Sequence, residues 1–385
     1  MQLKKLLAAS APTLFALVFV GAGLFTSYYL IKRDFTREID PVTEVYTAGG
    51  ALLKPEKRKA AAAAYYDDAN VLDKMDEMAW TGPSIPTPFV GNAPEPGLYG
   101  STHINSMQFR DAREVAMPKP ERTYRVFLTG GSTAYGCGAS SDDRTIGGYL
   151  QAILTRELTP TTGMQYEVFT MANSAWSSTQ ERIVIENRLS ELQPDLVIEL
   201  AGNNDVYWGA YGRNVLWFRT FNDELYLKLI KLAYRLAGQP PIPENTPLAQ
   251  GRIAPPLIAE RLLKNVRLSA FVLADRQADY VFVLQPTMAL TKKPLSPREY
   301  AVGNEPERLG MRDYFRESYP LIAKGLAALS GEHYQFVDLS GVFDGVGAEE
   351  EIFLDTVHFG DRGNDRIAQG IFQQVKDRVA GRATR

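Results

Sequence analysis

Short apolar runs alternate with amphipathic helical patterns from Tyr124 to Val379, and this alternation constrains the fold more than any other feature of the chain. Strands are predicted at 126–128, 166–170, 196–200, 280–284 and 336–339, and helices at 145–158, 178–192, 320–329 and 364–379. Strands that alternate with helices imply a parallel sheet covered by helices on both faces. The sequence therefore predicts an α/β fold of three layers, α/β/α, over about residues 121–385.

The first predicted strand ends in a sharp turn. The apolar run from Val126 to Leu128 meets the residues Gly130 to Thr133, and the first helical pattern follows from about Thr145. A turn of this kind presents a side chain at the carboxyl end of the sheet, where ligands bind in open α/β folds. Two adjacent glycines tolerate backbone angles that larger residues resist, and they leave open space around Ser132. We therefore predict that Ser132 is a nucleophile.

A serine hydroxyl needs a base to take its proton and donors to stabilise the oxyanion that forms. His358 is the candidate base, and Asp355 precedes it by three residues, an offset that can place both side chains on one side of a turn. Asp355 can then hold the imidazole in the tautomer whose other nitrogen faces Ser132. The segment from Gly202 to Asp205 directly follows the predicted strand 196–200, so a side-chain amide there would donate toward the same space.

Each of these three segments also has an ordinary structural interpretation. Gly-Gly-Ser-Thr is often only a tight turn or a phosphate-binding loop, although the Gly-Lys-Ser/Thr ending of a Walker-type loop does not follow here. Asp355 can be a helix cap beside a partly buried His358, and Gly-Asn-Asn-Asp is favourable turn chemistry. The catalytic interpretation is preferred because all three segments fall where open α/β sheets place their ligands.

The order of Gly130 to Thr133, Gly202 to Asp205 and Asp355 to His358 resembles the motifs of the SGNH (GDSL-like) hydrolase superfamily over residues 121–379. This resemblance implies a flavodoxin-like three-layer fold and esterase-type acyl chemistry. It makes Ser132 the nucleophile, with its own N–H as one oxyanion donor. It further implies that Asp355 and His358 complete the triad and that the Asn204 side chain is a second oxyanion donor. Asp205 would support the loop by hydrogen bonding.

Two positions depart from the family pattern. Gly131 stands where the family name has aspartate, a change that we associate with a sub-branch of the family. The second motif usually supplies a glycine N–H to the oxyanion, but no glycine occurs from Met171 to Ser178. Ala175 is the better match; Ser178 is the rival, although a capping box of Ser178 with Glu181 already accounts for it. Ala175 can donate if its backbone needs no positive φ.

The N-terminal segment contains no charged residue from Leu6 to Ile31. A helix needs about 20 mainly apolar residues to cross the hydrocarbon core, so this run is long enough. We expect residues 1–33 to be a retained membrane anchor; the alternative is a signal peptide cleaved near Gly21 to Gly23, but the apolar run continues past that site. The short basic tail before the span resembles an uncleaved export signal, so the catalytic domain is expected outside the cytoplasm (in the periplasm of a Gram-negative bacterium).

Residues 34–120 are expected to form a stalk or linker and an N-terminal extension. A helical pattern runs from Pro55 to Met78, which predicts either a stalk helix or a strap on the main domain. The stretch from Thr81 to Gly100 contains five prolines and four glycines. That composition predicts a linker or a surface-hugging loop without regular structure.

Two further segments of the main domain, 121–385, are predicted to surround the cleft. An insertion at about 209–260 exceeds what the basic fold needs. The aromatic residues at its start are expected to pack, and stacking on sugars or contact with the membrane surface are the alternatives (Trp208, Tyr211, Trp217 and Phe218). The stretch 287–297 is a candidate rim of the cleft, and its lysines, Lys292 and Lys293, are expected to be solvated.

The composition argues against several classes of function. The formal net charge of −3 gives no basic surface for nucleic acid. The one cysteine, Cys137, excludes an internal disulfide and is expected to be a small packed thiol. The three histidines, His103, His333 and His358, are far apart and lack metal-ligand spacing, so no metal and no cofactor are expected.

These observations together predict a membrane-anchored serine esterase. Its substrate would carry an ester such as an O-acyl or O-acetyl group on a carbohydrate or lipid. An O-acyltransferase acting on an envelope glycan is one alternative, because it would share the acyl-enzyme step. A catalytically inactive binding module of the same fold is another, and only the alanine in the second motif supports it. The oligomeric state is not predicted.

Overall fold

The computed structural model describes residues 16, 18–33, 59–67, 70–72, 74, 84–212, 230–241 and 251–383, of which 306–309 and 383 are described by their backbone only. The chain divides into two compact units. The first comprises residues 1–46 and 224–244, and the second comprises residues 47–223 and 245–385. In the first unit, residues 18–33 and 230–236 are helical. The second unit contains the sheet and all the predicted site residues.

Two antiparallel hairpins precede the main sheet strands. They pair β1 (Ser84–Thr87) with β2 (Gly91–Pro94), and β3 (Gly97–Tyr99) with β4 (Thr102–Ile104). The prediction of no regular structure over 81–100 is therefore wrong. Each strand of a two-stranded ribbon has an open edge, and a proline there gives up no ladder hydrogen bond. Glycines with positive φ serve the turns, as Gly91 (φ 92°) and Gly100 (φ 59°) show.

The main sheet has five parallel strands. They are β5 (Thr123–Gly130), β6 (Gln165–Thr170), β7 (Leu196–Ala201), β8 (Asp279–Leu284) and β9 (Tyr334–Asp338). Their spatial order is β6-β5-β7-β8-β9, which is the flavodoxin-like order 2-1-3-4-5. The order reverses between β5 and β7, and ligands bind beyond the carboxyl ends of the strands at such a switch point. Ser132 follows β5 and Asn204 follows β7, so both lie there.

Helices cover both faces of the sheet, as predicted. They are α1 (Ser132–Tyr135), α2 (Ile146–Thr162), α3 (Ser178–Asn187), α4 (Asn203–Ala210), α5 (Pro255–Asp275), α6 (Pro297–Gly303), α7 (Pro306–Ala327) and α8 (Asp361–Ala383). Successive residues of a strand point to opposite faces. Val126 and Leu128 of β5 pack in one core with α2 and α8, whereas Phe127 packs in the other with α3, α5 and α7. The predicted three-layer α/β/α architecture is confirmed.

The start of α3 differs from its prediction. Its capping box consists of Ser177 and Gln180, one residue earlier than the predicted pair of Ser178 with Glu181. The helix ends at Asn187, and a 3-10 helix (Leu189–Glu191) follows it where one continuous helix to residue 192 was predicted. Both serines fit the pattern of a helix start, so the local sequence does not separate them.

Among the described residues, no helix is both long enough and apolar enough to span a membrane. Residues 6–15 and 17, which belong to the predicted anchor, lie outside the described part of the chain, so the anchor stays a prediction. Trp217 and Phe218 of the predicted insertion also lie outside it.

A segment of the N-terminal extension packs on the main domain. Ala61, Ala62, Ala64, Tyr65 and Val71 form an apolar cluster together with Leu354. Residues 62–64 form a 3-10 helix, so a continuous helix is not present over the described part of the predicted stretch 55–78. For these residues the strap interpretation fits, and the stalk interpretation does not.

Candidate active site

The turn after β5 places Ser132 at the first position of α1. Gly130 has φ 153°, and a Cβ there would lie 2.3 Å from the carbonyl oxygen of Leu200 in β7. Only glycine allows the turn to pass so close to the neighbouring strand. Gly131 precedes the helix in extended conformation, and Ser132 is half-buried at the mouth of the turn.

Ser132, His358 and Asp355 form a continuous chain of hydrogen bonds. Ser132 Oγ lies 2.7 Å from His358 Nε2, and His358 Nδ1 lies 2.7 Å from Asp355 Oδ2. With the Nδ1 proton donated to the carboxylate, Nε2 is left to accept the proton of the serine hydroxyl. The serine and the histidine are 226 residues apart in the chain. The fold therefore brings the predicted base and its predicted orienting group to the predicted nucleophile.

The loop that carries the histidine is fixed by its own hydrogen bonds. Asp355 Oδ1 accepts the N–H groups of Val357 and His358, both at 2.8 Å. These bonds close the turn that the three-residue offset predicts. Thr133 Oγ1 donates to the carbonyl oxygen of Val357 at 3.1 Å, which ties the helix of the nucleophile to the loop of the base.

The stretch after β8 forms one side of the same loop. The N–H of Met288 donates to the carbonyl oxygen of Thr356 at 2.9 Å, and Thr287 Oγ1 donates to the same oxygen at 3.3 Å. The predicted rim residues 287–297 thus contact the segment between Asp355 and His358. The lysine prediction is wrong for Lys293, which is buried and paired with Glu299 at 2.7 Å, with both side chains 0% exposed. A charge can be buried in this way because its partner neutralises it.

Asn204 directs its amide nitrogen toward the turn of the nucleophile. Asn204 Nδ2 donates to the carbonyl oxygen of Trp176 at 2.6 Å, and a Cβ added to Gly131 would lie 2.3 Å from that nitrogen. Asn203 Nδ2 donates to Asn204 Oδ1 at 3.2 Å, which orients the amide. An amide nitrogen carries two hydrogens, and the carbonyl of Trp176 takes one of them. The other is available to a group bound at Ser132.

Ala175 does not meet the condition that the sequence set for it. Its φ is 67°, in the left-handed region, whereas the sequence analysis allowed it as a donor if no positive φ was needed. The conformation is held from one side by Trp208, whose Nε1 donates to the carbonyl oxygen of Ala175 at 3.2 Å. Such a conformation costs an alanine about 1 kcal/mol. Within the described chain the N–H of Ala175 donates to no acceptor.

Ser178, the rival of Ala175, is bonded to Asp205 instead. Its N–H and its hydroxyl donate to the two carboxylate oxygens of Asp205 at 3.0 and 2.6 Å. The predicted supporting role of Asp205 therefore has a definite geometry: it connects the start of α3 with the start of α4, which carries Asn204. Since its N–H is already occupied, Ser178 is the weaker candidate for an oxyanion donor.

Three carboxyl groups are buried beneath the loop of Asn204. Burial raises the pKa of Glu199 to about 7, against hydrogen bonds from Tyr280 and Glu181 that lower it. Burial and the neighbouring Glu199 and Asp205 raise the pKa of Glu181 well above its ordinary value. Burial also raises the pKa of Asp205, and the bonds from Ser178 oppose the change. No cation pairs with Glu181 or Glu199 among the described residues, so burial favours the protonated form of the pair without an opposing positive charge.

Sequence analysis missed two residues that hold the nucleophile's turn. Arg110 is buried, and its Nη1 donates to the carbonyl oxygens of Tyr135 and Gly136 at 3.0 and 2.9 Å. Asp142 accepts from its Nε at 2.8 Å. The hydroxyl of Tyr65 donates to the carbonyl oxygen of Gly138 at 2.8 Å. No local pattern marks either residue, because their partners lie in other segments of the chain.

Tyr65 also contacts the other side of the site. Its carbonyl oxygen accepts from Arg362 Nε at 2.9 Å, and its cluster includes Leu354, the residue before Asp355. The strap thus bridges the turn of the nucleophile and the loop of the base. The packing prediction holds for Trp208 and Cys137, which are both buried, whereas Tyr211 contacts the ring of Tyr207 but is 50% exposed. No group of three or more His, Cys, Asp or Glu side chains within the described ranges is placed to hold a metal ion.

No protein-family model and no curated protein matches the chain. Solved structures that are similar to it include a GDSL-like lipase from Bacteroides thetaiotaomicron, with 16% identity, 68% of this chain and 92% of that chain covered, and a TM-score of 0.38. TesA has 15% identity, 66% and 98% coverage, and a TM-score of 0.40. The acetylxylan esterase Axe2 from Geobacillus stearothermophilus has 13% identity, 66% and 94% coverage, and a TM-score of 0.38. Similarity of this size does not establish an activity for this chain.

Proposed function

We propose that this chain is a serine ester hydrolase of the SGNH type, with Ser132 as nucleophile, His358 as general base and acid, and Asp355 as the group that orients the histidine. The observation that supports this most strongly is the unbroken Ser132–His358–Asp355 hydrogen-bond chain, 2.7 Å at each step. It lies at the switch point of the sheet, where open α/β folds bind their ligands.

The geometry supports acyl transfer in two steps. Ser132 Oγ attacks the ester carbonyl carbon while His358 Nε2 takes the hydroxyl proton. The tetrahedral intermediate then collapses: the bond to the alcohol oxygen breaks, His358 returns the proton to that oxygen, and an acyl-serine remains. In the second step His358 takes a proton from water, the resulting hydroxide attacks the acyl-serine, and Ser132 regains its proton as the acid leaves.

The oxyanion of both intermediates needs donors that are already in place. We assign this role to the second amide hydrogen of Asn204, to the N–H of Ser132 and to the N–H of Ala175. Asn204 has its nitrogen beside the residue that precedes the nucleophile, and the N–H of Ala175 has no acceptor within the described chain. Donors fixed before the reaction stabilise the developing charge without reorganisation in the transition state.

We propose that the substrate is an O-acyl or O-acetyl ester on a carbohydrate or lipid; Ser132 is only half-buried, so its side chain is not closed off from such a substrate. We also propose that residues 1–33 anchor the chain in a membrane with the catalytic domain outside the cytoplasm. Support for the anchor comes from the uncharged run 6–31 and from the exposed apolar side chains of the described helix 18–33, such as Phe19 and Phe25, each 71% exposed.

Two measurements test the proposed chemistry. A fluorophosphonate probe should label Ser132 of the folded protein, and hydrolysis of a small aryl acetate should disappear in Ser132→Ala. Asn204→Ala should lower kcat about 100- to 1000-fold, the usual cost of one oxyanion donor. Near-normal hydrolysis by Ser132→Ala would end the proposal. Adding a glycan acceptor and measuring acyl transfer against release of free acid separates the hydrolase from the acyltransferase.

A further inference from the structure

A cavity of about 230 Å³ lies beside the loops of the proposed catalytic residues. Thr356 and Val357 form part of its wall, and they are the two residues between Asp355 and His358. Tyr207 forms another part, three residues after Asn204 on α4. The cavity is therefore bounded by the loop of the base on one side and by the helix of the oxyanion amide on the other. A group bound in it would be close to an ester held at Ser132.

Most of the cavity surface is apolar. Met288 and Leu295 come from the stretch after β8, and Met311 and Phe315 come from α7. Pockets for drug-sized ligands usually enclose about 300–1,000 Å³, so this one suits a smaller group. Its size and lining fit a short aliphatic arm.

The charged side chains at this cavity are all cationic: Lys293, Arg312 and Arg316 line it, and no Asp or Glu does among the described residues. Glu299 neutralises Lys293. The nearest carboxylate to Arg316 is Asp313 at 3.9 Å, and both side chains are exposed to solvent, so water screens that pair.

Arg312 is the cation with the least compensation. Its Nη2 donates to the carbonyl oxygen of Gly303 at 2.6 Å and to Asn304 Oδ1 at 2.9 Å, and both acceptors are neutral. No carboxylate of the described chain lies within 4.0 Å of its guanidinium. Those two bonds fix the orientation of the side chain, and no carboxylate among the described side chains compensates its positive charge. Both hydrogens of Nη2 are taken by these bonds, and the remaining N–H groups, on Nη1 and Nε, can donate to an anionic oxygen such as that of a carboxylate.

We propose that this cavity binds an arm of the substrate, a few carbons long and ending in a carboxylate, with Arg312 as the residue that recognises the anionic end. The inference rests on the proposed ester hydrolysis and narrows its substrate to half-esters of short dicarboxylic acids or to esters of short hydroxy acids. These two sources share one chemistry, an aliphatic arm with a terminal carboxylate. They differ in whether the arm belongs to the acyl group or to the alcohol.

Matched esters test the proposal in the full chain. On the acyl side, monomethyl glutarate is compared with methyl valerate; on the alcohol side, 4-acetoxybutyrate is compared with butyl acetate. Within each pair the arm has the same length and only the carboxylate differs. Release of acid is followed at constant pH. The wild-type chain should favour the anionic member of one pair by about 10- to 100-fold in kcat/KM, the size of one charge-assisted hydrogen bond. The pair that shows the preference identifies the side of the ester that occupies the cavity.

The variant series assigns the preference to Arg312. Arg312→Gln should abolish it, mainly through a higher KM for the anionic ester, and Arg312→Lys should keep part of it because the positive charge remains on a more flexible side chain. Lys324→Gln is the matched control, because Lys324 is an exposed cation at the other end of the same helix, α7. An unchanged preference in Arg312→Gln, or equal rates within both pairs in the wild-type chain, would overturn the inference while leaving ester hydrolysis intact.

A binding measurement separates the two proposals. In Ser132→Ala, an NMR titration with monomethyl glutarate and 4-acetoxybutyrate should show saturable binding of one of them, weakened about tenfold or more by Arg312→Gln. Binding without turnover in the wild-type chain would support the carboxylate site and contradict the proposed hydrolase activity. Turnover of the neutral esters without any such binding would support the hydrolase activity and contradict the carboxylate site.

Discussion

Gly131→Ala is predicted to disable the oxyanion site without touching a catalytic side chain. Gly131 has φ −81° and ψ −158°, so an alanine fits its backbone conformation. The added Cβ would lie 2.3 Å from Asn204 Nδ2 and 3.3 Å from the carbonyl oxygen of Trp176 that holds this amide. An ordinary contact needs roughly 3.5 Å, so the amide nitrogen must retreat by about 1 Å. An oxyanion donor displaced by that distance no longer reaches the charge.

The expected loss follows from the value of one such donor. Removal of a single oxyanion donor costs about 100- to 1000-fold in kcat, or about 3–4 kcal/mol of transition-state stabilisation. Gly131→Ala should therefore resemble Asn204→Ala, with kcat reduced by that factor and KM little changed. Steady-state hydrolysis of an aryl acetate measures both quantities, and thermal unfolding of each variant verifies that the fold is retained.

A double variant tests the reasoning further. If the alanine acts only through Asn204, then Gly131→Ala with Asn204→Ala should be about as slow as Asn204→Ala alone. Gly381→Ala is the control: this glycine lies in α8 with no atom within 4 Å of an added Cβ, so kcat should be unchanged. Wild-type kcat in Gly131→Ala, or losses that simply multiply in the double variant, would refute the proposed position of the Asn204 amide.

Three further variants probe the surroundings of the site. Ala175→Gly should raise the free energy of unfolding in denaturant by about 0.5–1 kcal/mol, because glycine adopts positive φ without strain. The N–H group is kept, so kcat should be unchanged. A lower free energy of unfolding would contradict the left-handed backbone at this position. The pKa of Glu199 is about 7 in the folded chain, against 4.5 for an ordinary glutamate. Between pH 4.5 and 7 the folded state therefore keeps a proton that the unfolded state has released. The free energy of unfolding should fall as the pH rises through that range. Glu199→Gln should make the free energy of unfolding less dependent on pH in this range. Above about pH 7 it should raise that free energy by up to about 3 kcal/mol, at about 1.4 kcal/mol per pKa unit. An unchanged pH profile of the unfolding free energy would disprove the buried proton. Tyr65→Phe removes the hydroxyl that donates to Gly138 and should lower the free energy of unfolding by about 1 kcal/mol. It should lower kcat at constant KM, because the strap contacts the loops of the site and not the substrate. An unchanged kcat would limit the strap to a role in folding.

The hydrophobic pattern of the sequence was sufficient for the architecture. Strand and helix periodicities are local properties, so the runs around Val126–Leu128 and 196–200 predicted buried strands, and their alternation with helices predicted the parallel sheet. The same pattern placed Ser132 and Asn204 at strand ends and the 355–358 loop just before the last helix. That topology brings Ser132 and Asn204 to one edge of the sheet, because the carboxyl ends of parallel strands lie together, whereas the meeting of Ser132 with His358 was a prediction about how distant loops converge.

Predictions from composition were wrong where the tertiary surroundings of a residue override its local conformational or solvation preference. Proline and glycine in 81–100 suggested an irregular linker, yet ribbon edges accept proline, and glycines occupy the turns. Lys293 was expected in solvent, because nothing in the sequence shows that Glu299 is buried beside it. Ala175 was accepted as a donor on the condition that its backbone needs no positive φ, but its φ is 67°.

The sequence by itself determined the fold class, the candidate catalytic side chains and the strand ends from which Ser132 and Asn204 project, since these depend on residue type and on periodicity over a few positions. Only the tertiary structure decided what holds those side chains in place, namely Arg110 on the turn of Ser132 and Tyr65 bridging to the loop of His358. It alone also formed the cavity that Arg312 lines. Tyr65 and Gly138 are 73 residues apart, and their pairing depends on the path of the whole chain between them. A local sequence pattern therefore does not predict this contact.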